Sequence, residues 1–265
     1  MFPYVTIAGR GFPSYGIAAV AGFLLGLIIL ILTGRGKKKE RTDPLRERWW
    51  RDAADCYLIG VAGALIGGKL CYLLVMLPQI LRDIAAGYPF SWFFERYLTS
   101  GMVFYGGLFG AILFSFLTAK YLGVSFRALY PLLVPSLTIV AGFGRIGCFL
   151  TGCCYGVETT GPIYVVFHHS IHAPNEVPLF PTQLFEAGFD FFLFFLLRSL
   201  SRTRHWDKLL SLYLFLYAVF RFILEFFRGD EIRGRFFLST SQWISIAILF
   251  VLFLLKRKKK VPIMD

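Results

Sequence analysis

The sequence predicts an all-α integral membrane protein, a bundle of about seven transmembrane helices with its N-terminus outside, its C-terminus cytoplasmic and a small external head. Three observations carry this reading. The chain is 57% hydrophobic and 18% aromatic, with 17% charged residues, and phenylalanine fills 30 of its 265 positions; soluble domains carry more charge than this. Its apolar residues come in runs long enough to cross a hydrocarbon core, which takes about 20 residues. Its net charge of +12 gathers beside those runs, in clusters such as Lys37-Lys38-Lys39 and Lys256-Arg-Lys-Lys-Lys260, where basic side chains anchor a span at the membrane surface. That placement argues for lipid headgroups, and against nucleic acid, as the partner of the basic residues.

Taken in order, the runs are Tyr15–Thr33, Cys56–Leu77, Met102–Leu122, Leu129–Leu150, Leu184–Leu200, Leu209–Phe227 and Phe236–Leu255. Arg221 and Glu225 interrupt the sixth. The first dozen residues lack a basic region of the kind that opens a cleaved leader, so the first run reads as a span that stays. Residues 1–265 read as a single polytopic membrane domain. The positive-inside rule sets its orientation. The first connection carries Arg35, Lys37, Lys38, Lys39, Arg41, Arg46, Arg48 and Arg51, the third Lys120 and Arg127, and the fifth Arg198, Arg202, Arg204 and Lys208. These alternate segments are expected on the cytoplasmic side. The connection Thr151–Thr182 has no Lys or Arg and is expected outside. Arg228, Arg233 and Arg235 break the bias from outside, which marks them either as anion binders or as interfacial arginines whose heads snorkel to water. Two outer segments are long. Residues 79–101 include Tyr88-Pro-Phe-Ser-Trp-Phe-Phe94, an aromatic stretch suited to an interfacial arm. Residues 151–182, with their β-branched and turn residues, suit a small head.

Polar residues stand out against this background. Arg145 lies inside Ala141-Gly-Phe-Gly-Arg145-Ile-Gly-Cys148-Phe-Leu-Thr-Gly-Cys153-Cys154-Tyr-Gly156. A charge at membrane depth costs about 2.5–3.5 kcal/mol on insertion scales, so Arg145 requires a partner, an anionic ligand or a wet cavity. Gly142-Phe-Gly144-Arg-Ile-Gly147 has the spacing of a dinucleotide-binding turn but lacks the strand that such a turn follows. The expected topology puts Tyr15, Lys69, Tyr105 and Arg145 near the outer surface, together with Tyr217, Arg221, Glu225 and Arg228 of the sixth run. The last four are spaced i, i+4, i+8 and i+11, one helical face. Cations at one depth suit a phosphate-bearing lipid, since a guanidinium grips phosphate with two parallel hydrogen bonds. Alternatively Arg221 and Glu225 pair with each other inside the bundle. Arg145 has no acid near it in sequence. Glu186 and Asp190, four apart, read as hydrogen-bonding to a neighbouring helix. Cys148, Cys153 and Cys154 precede His168, His169 and His172, but not at a standard zinc spacing; they read as small residues that allow close helix approach, or as partners in a disulfide if the region faces an oxidising space, and no metal or cofactor is expected. A small transporter fits the glycine-interrupted helices, although the charges gather at one face and no inverted repeat is visible.

Six segments, in this order, resemble the prolipoprotein diacylglyceryl transferase family of bacterial plasma-membrane enzymes. Ser14-Tyr15-Gly16-Ile17 resembles its W-Y-G-L start, and Leu65-Ile-Gly-Gly-Lys69-Leu-Cys-Tyr72 its G-G-R-x-x-Y segment. Gly101-Met-Val-Phe-Tyr105-Gly-Gly-Leu-Phe-Gly110 resembles G-M-S-F-H-G-G-L-x-G. The Gly144–Gly156 segment resembles G-R-x-G-N-F-x-N-x-E-x-x-G. Pro181-Thr-Gln-Leu-Phe-Glu186 resembles H-P-S-Q-L-Y-E without its histidine. Tyr217–Arg228 matches Y-x-x-x-R-F-x-x-E-F-x-R. The departures are Lys69 for an arginine, Tyr105 and Phe180 for histidines, Cys148 for an asparagine and Cys153 for a glutamate.

The resemblance implies transfer of diacylglyceryl from phosphatidylglycerol to the cysteine thiol of a lipobox peptide, with glycerol phosphate leaving, at a site facing the outer leaflet of the bacterial plasma membrane. It implies catalytic roles for Arg145, Arg221, Glu225 and Tyr105. It implies lipid contacts for Tyr15, Lys69, Gly144, Gly156, Tyr217 and Arg228. It implies neither a metal nor a cofactor. The departures leave open a member that binds phospholipid without transfer, or that uses another acceptor.

Overall fold

The structure is a computed structural model that describes residues 3–7, 9–37, 48–98, 101–201, 208–230 and 235–258. Of the positions named above, Lys38, Lys39, Arg41, Arg46, Arg202, Arg204, Arg233, Lys259 and Lys260 lie outside the described residues, as do the side chains of Lys37, Tyr105, Arg235, Arg257 and Lys258. A hairpin of β1 (Tyr4–Ile7) and β2 (Arg10–Pro13) opens the chain. Then come α1 (Ser14–Lys37), α2 (Trp49–Ala85), the short α3 (Phe90–Phe93) running on into a π-helical turn (Phe94–Leu98), α4 (Phe104–Tyr121) and α5 (Phe126–Thr151). The strands β3 (Val165–Val166) and β4 (Pro178–Leu179) precede α6 (Thr182–Leu200) and α7 (Leu209–Leu224), which tightens into a 3-10 turn (Glu225–Phe227). A small ladder of β5 (Arg235–Phe236) and β6 (Leu238–Ser239) leads into α8 (Thr240–Lys258).

Each of the seven apolar runs overlaps a helix over most of its length, although the third is helical only from Phe104 to Tyr121 and the seventh only from Thr240, after β5 and β6. Among the described residues, four helices are long and apolar enough to cross a membrane: Ser14–Arg35, Trp49–Ala85, Phe126–Thr151 and Leu209–Phe227. The chain divides into two compact units, one of Met1–Ile29 with Tyr130–Asp265 and the other of Leu30–Leu129.

In the Leu30–Leu129 unit, α2 and α4 pack antiparallel through glycines. A β-carbon at Gly63 would sit 2.6 Å from the Gly110 carbonyl oxygen, and one at Gly67 would fall onto that of Gly106. Without side chains, the backbones come into contact, which is how helices associate where no hydrophobic force drives them together. The α2 helix is longer than its apolar run at both ends. It starts at Trp49, whose indole N–H donates to the Ala128 carbonyl at 2.9 Å, and has Asp52 in its first turn, where the helix dipole favours an acid. It also continues through Pro78 to Ala85, so the stretch expected to leave the span at residue 79 is helical for its first residues; membrane helices tolerate the one backbone donor that proline removes. Asp83 near its end accepts from Gln79 Nε2 at 2.9 Å and from the Tyr97 hydroxyl at 2.5 Å. This pins the aromatic arm, where Tyr88 and Trp92 stack 4.3 Å apart.

In the other unit, α5 buries Val134 against Leu193 and Leu197 of α6 and Leu209 of α7. Pro131 and Pro135 lie inside α5. Nearby hydroxyls bond its carbonyls, Thr138 Oγ1 donating to Pro135 O at 2.7 Å and Ser136 Oγ to Leu132 O at 2.9 Å. Residues 151–182 hold a core of their own, Phe167 with Ala173 and Leu179. The chain leaving α7 pairs with this segment: Gly156 and Arg228 form an antiparallel bridge, and Val157 N donates to Phe227 O at 2.9 Å. Ser239 and Gln242 exchange side-chain-to-backbone bonds of 3.0 and 3.2 Å at the start of α8, a capping box.

Candidate active site

Three helices of one unit meet at a buried carboxylate. Glu186, one turn into α6, is 1% exposed. Its Oε1 receives Arg145 Nη2 from α5 at 2.8 Å and the Tyr217 hydroxyl from α7 at 3.1 Å, with Arg221 Nε at 3.8 Å. Arg221 also bonds Glu225 Oε2 at 2.7 Å through Nη2, which lies 3.3 Å from Ser241 Oγ of α8. Glu186 therefore supplies the acid that Arg145 lacks in sequence, a role the local spacing did not disclose because the partner comes from another helix. The expected Arg221–Glu225 pair is present. Burying such a cluster is sustainable only when each charge is matched, and two guanidiniums are matched here by two carboxylates.

Arg228 is not on the helical face that its spacing suggested. The 3-10 turn tightens the end of α7, and Arg228 follows it in extended geometry with φ −85° and ψ 133°. Its side chain grips Asp230 through both carboxylate oxygens, at 2.9 and 2.7 Å. Burial works against the charge of Arg228, but the bonds to Asp230 and the neighbouring Cys154 outweigh it and raise the guanidinium above its ordinary range. Among the described residues, Arg221 Nη1 and Arg228 Nη1 are buried without a partner, as are Glu186 Oε2, Gln183 Oε1 and both carboxylate oxygens of Asp190. Buried donors normally find acceptors, so two unpaired guanidinium nitrogens in one unit are a reason to look for an anion.

The cysteines converge more than their spacing implied. The sulfurs of Cys148, Cys153 and Cys154 all lie within 4.8 Å of one another, and no histidine belongs to the group; His168 bonds Glu176 instead, at 2.8 Å. Cys154 adopts a left-handed backbone, φ +62°, two residues after Gly152 at φ +78°. Thr182 Oγ1 bonds the Cys154 carbonyl at 2.8 Å and Gln183 Nε2 that of Cys153 at 2.9 Å. Hydrogen bonds with Cys148 and Cys153 hold the Cys154 thiol well below its ordinary range against the effect of burial, and the charges of Arg228 and Arg145 act in the same sense.

The remaining sequence candidates divide. Tyr15 is 46% exposed and its ring lies where a β-carbon at Gly147 would be, 2.9 Å away. Gly144 faces open space, with nothing within 4 Å of a β-carbon built there. Gly142 is a packing position, under the Phe191 ring. Gly156 is backbone-packed as well: a β-carbon there would fall onto the Phe180 carbonyl. In the other unit, Lys69 Nζ bonds the carbonyls of Tyr97 and Gly101 at 3.2 and 3.0 Å and so holds the loop that enters α4. Tyr105 occupies the first turn of α4.

A sequence profile described as prolipoprotein diacylglyceryl transferase matches residues 4–256. The phosphatidylglycerol–prolipoprotein diacylglyceryl transferase of Clostridium tetani (strain Massachusetts / E88) is 34% identical over 248 residues, 91% of each chain. That named transferase 2 in Clostridium perfringens (strain 13 / Type A) is 36% identical over 229 residues, 86% of each chain. One from Leptothrix cholodnii (strain ATCC 51168 / LMG 8142 / SP-6) is 30% identical over 252 residues, 89% of this chain and 87% of its own. Matched along nearly its whole length by the profile and by these relatives, the chain belongs to the prolipoprotein diacylglyceryl transferase family.

Proposed function

We propose that this protein transfers diacylglyceryl from phosphatidylglycerol to the cysteine thiol of a prolipoprotein lipobox, in the membrane of a bacterium. The observation that carries this reading is the family match over residues 4–256. The chemistry is a displacement at carbon. The acceptor thiolate attacks the glycerol carbon that bears the phosphate, a sulfur–carbon bond forms, the carbon–oxygen bond breaks, and glycerol phosphate leaves with the electron pair. The phosphate gains negative charge as that bond breaks, so fixed donors aimed at it stabilise the transition state more than the bound lipid.

Arg145 and Arg221 are assigned to the phosphate, with Arg221 Nη1 and Arg228 Nη1 as its unengaged donors. Glu225 orients Arg221, and Glu186 aligns both arginines with Tyr217. Tyr15 and Gly144 border the headgroup, and Gly156 fixes the strand from which Arg228 projects. Lys69 shapes the entry to α4, which carries Tyr105 at the position of the family's histidine. The topology that accompanies this assignment has seven spans, an external N-terminus, a cytoplasmic C-terminus, an interfacial arm at 79–101, a head at 151–182 and a site open to the outer leaflet of the plasma membrane. The alternation of basic connections supports that orientation.

A second reading, phospholipid binding without transfer or transfer to another acceptor, is favoured by Tyr105, Cys148 and Cys153 at positions where the family has histidine, asparagine and glutamate. One experiment separates the two. Purified protein is incubated with phosphatidylglycerol and a synthetic lipobox peptide, and the peptide is weighed by mass spectrometry. A gain of one diacylglyceryl mass is expected, reduced about 100-fold or more in Arg145→Ala, the loss typical of removing a transition-state donor. Bound phosphatidylglycerol without any mass gain would favour the second reading.

A further inference from the structure

We propose that Cys148, Cys153 and Cys154, whose sulfurs converge beside Arg145 and Arg228, bind a thiophilic divalent cation of the zinc type with one coordination position open to the acceptor thiol. The second half of this inference rests on the transferase reading; the first half does not.

The geometry is close to what such an ion requires. Zinc–sulfur bonds of about 2.3 Å in a tetrahedron put sulfurs about 3.8 Å apart. The three sulfurs lie within 4.8 Å of one another, so closure takes movements of about 1 Å or less. Neighbouring residues on an extended chain point to opposite sides, and Cys153 and Cys154 would do the same. The left-handed backbone at Cys154 brings both thiols to the side of Cys148. A non-glycine residue keeps that conformation where its surroundings over-determine it, commonly at functional sites. Here the surroundings are the bonds from Thr182 and Gln183 to the Cys154 and Cys153 carbonyls.

The alternatives fit less well. All five described cysteines are free. Adjacent cysteines bridge only with strain, and any disulfide among three leaves one thiol over. As helix-packing residues, three neighbouring thiols have no need to meet at one point.

Charge supports the site. Three thiolates and a divalent ion sum to one negative charge, and the charges of Arg228 and Arg145 already act on Cys154. A buried anionic centre beside guanidiniums is matched, whereas a bare cation there would be repelled. The ligand set is also informative, because among the described residues the group contains no histidine or carboxylate. Structural zinc sites close with four protein ligands, and catalytic ones keep a position open beside three. A thiol entering the open position loses its proton to water on coordination. This supplies the thiolate that the displacement needs, in a chain where Tyr105, with an ordinary tyrosine pKa of about 10, replaces a histidine. The coordinated sulfur then attacks carbon as described above, and the metal keeps its three protein ligands and its oxidation state.

Cobalt(II) is the probe. The detergent-purified full chain, stripped of metal under reducing conditions, is titrated with cobalt(II) and its absorption recorded. Thiolate-to-cobalt charge-transfer bands and tetrahedral ligand-field bands are expected at a stoichiometric end point. Both should be lost in the Cys148→Ser, Cys153→Ser, Cys154→Ser variant and kept in Cys71→Ser. A lipobox peptide should shift the ligand-field bands of the wild-type protein, and the same peptide with serine for cysteine should not, a readout that requires no folded variant. Absence of thiolate bands overturns the site, as does their persistence in the triple variant. Bands that ignore the peptide thiol overturn its open position. Transfer activity is followed in parallel on wild-type protein with and without chelator. Transfer that is complete without metal overturns the metal's part in delivering the acceptor thiol and leaves the function standing. Cobalt bands without any transfer overturn the function and leave the site standing.

Discussion

The two units hold their helices together by opposite means. Between α2 and α4, Gly63 and Gly67 face Gly110 and Gly106, and contact is made by removing side chains. Among α5, α6 and α7 an apolar core around Val134 is joined by a shared carboxylate, Glu186, with Arg145, Arg221 and Tyr217 around it. An interface of the first kind is sensitive to volume, while one of the second kind is sensitive to charge as well. The unit that holds the second is also the one in which Arg221 Nη1 and Arg228 Nη1 are buried without a partner among the described residues.

Three variants test this contrast. The largest effect is expected from Glu186→Ala, which leaves Arg145 and Arg221 short of their common partner; breaking a buried ion pair from one side costs about 3–5 kcal/mol. Thermal unfolding in detergent should show the loss, and transfer should fall with it. Full stability in this variant would mean that Glu186 is not what joins the three helices. Next is Gly67→Val, which drives a side chain into the Gly106 carbonyl and should cost about 1–3 kcal/mol as an overpacked contact. It should loosen the Leu30–Leu129 unit with no dependence on salt, and undiminished stability of the alanine and valine variants at this position would contradict a backbone contact. The smallest is Tyr97→Phe, which removes one hydrogen bond from Asp83 while Gln79 keeps its own. A change of about 1 kcal/mol is expected, visible as faster proteolysis of the aromatic arm before any change in global unfolding. An arm equally protected in the variant would show that the bond to Asp83 does not hold it.

Much of this was visible in the sequence, for reasons particular to each element. The helices were visible because the bilayer demands long apolar runs, and each run is helical over most of its length; the strands at the start of the seventh were not foreseen. The ends of α2 were not. Trp49 and Arg51 look like surface residues, and Pro78 looks like a stop, although membrane helices carry proline through. The hairpin at Tyr4–Pro13 is too short and too weakly alternating to be read as strands. Within the site, Arg221 and Glu225 are four apart on one helix, so their pairing could be inferred. Glu186 could not be assigned to Arg145, because the pair joins α5 to α6 and no local spacing encodes that. The meeting of Cys148, Cys153 and Cys154 was hidden for another reason. It depends on the sign of one backbone angle, at Cys154, and cysteine is not a residue that announces a left-handed turn.

The glycine contact between α2 and α4 also limits how this protein can diverge. At most packed positions, a larger residue on one helix can be accommodated by a smaller one opposite. Gly63, Gly67, Gly106 and Gly110 each meet a carbonyl oxygen of the other helix, and every amino acid has the same carbonyl. No second substitution on the facing helix can make room for the first. These four positions are therefore closed to stepwise exchange, and a lineage that lost any of them would have to shift a whole helix to survive the change.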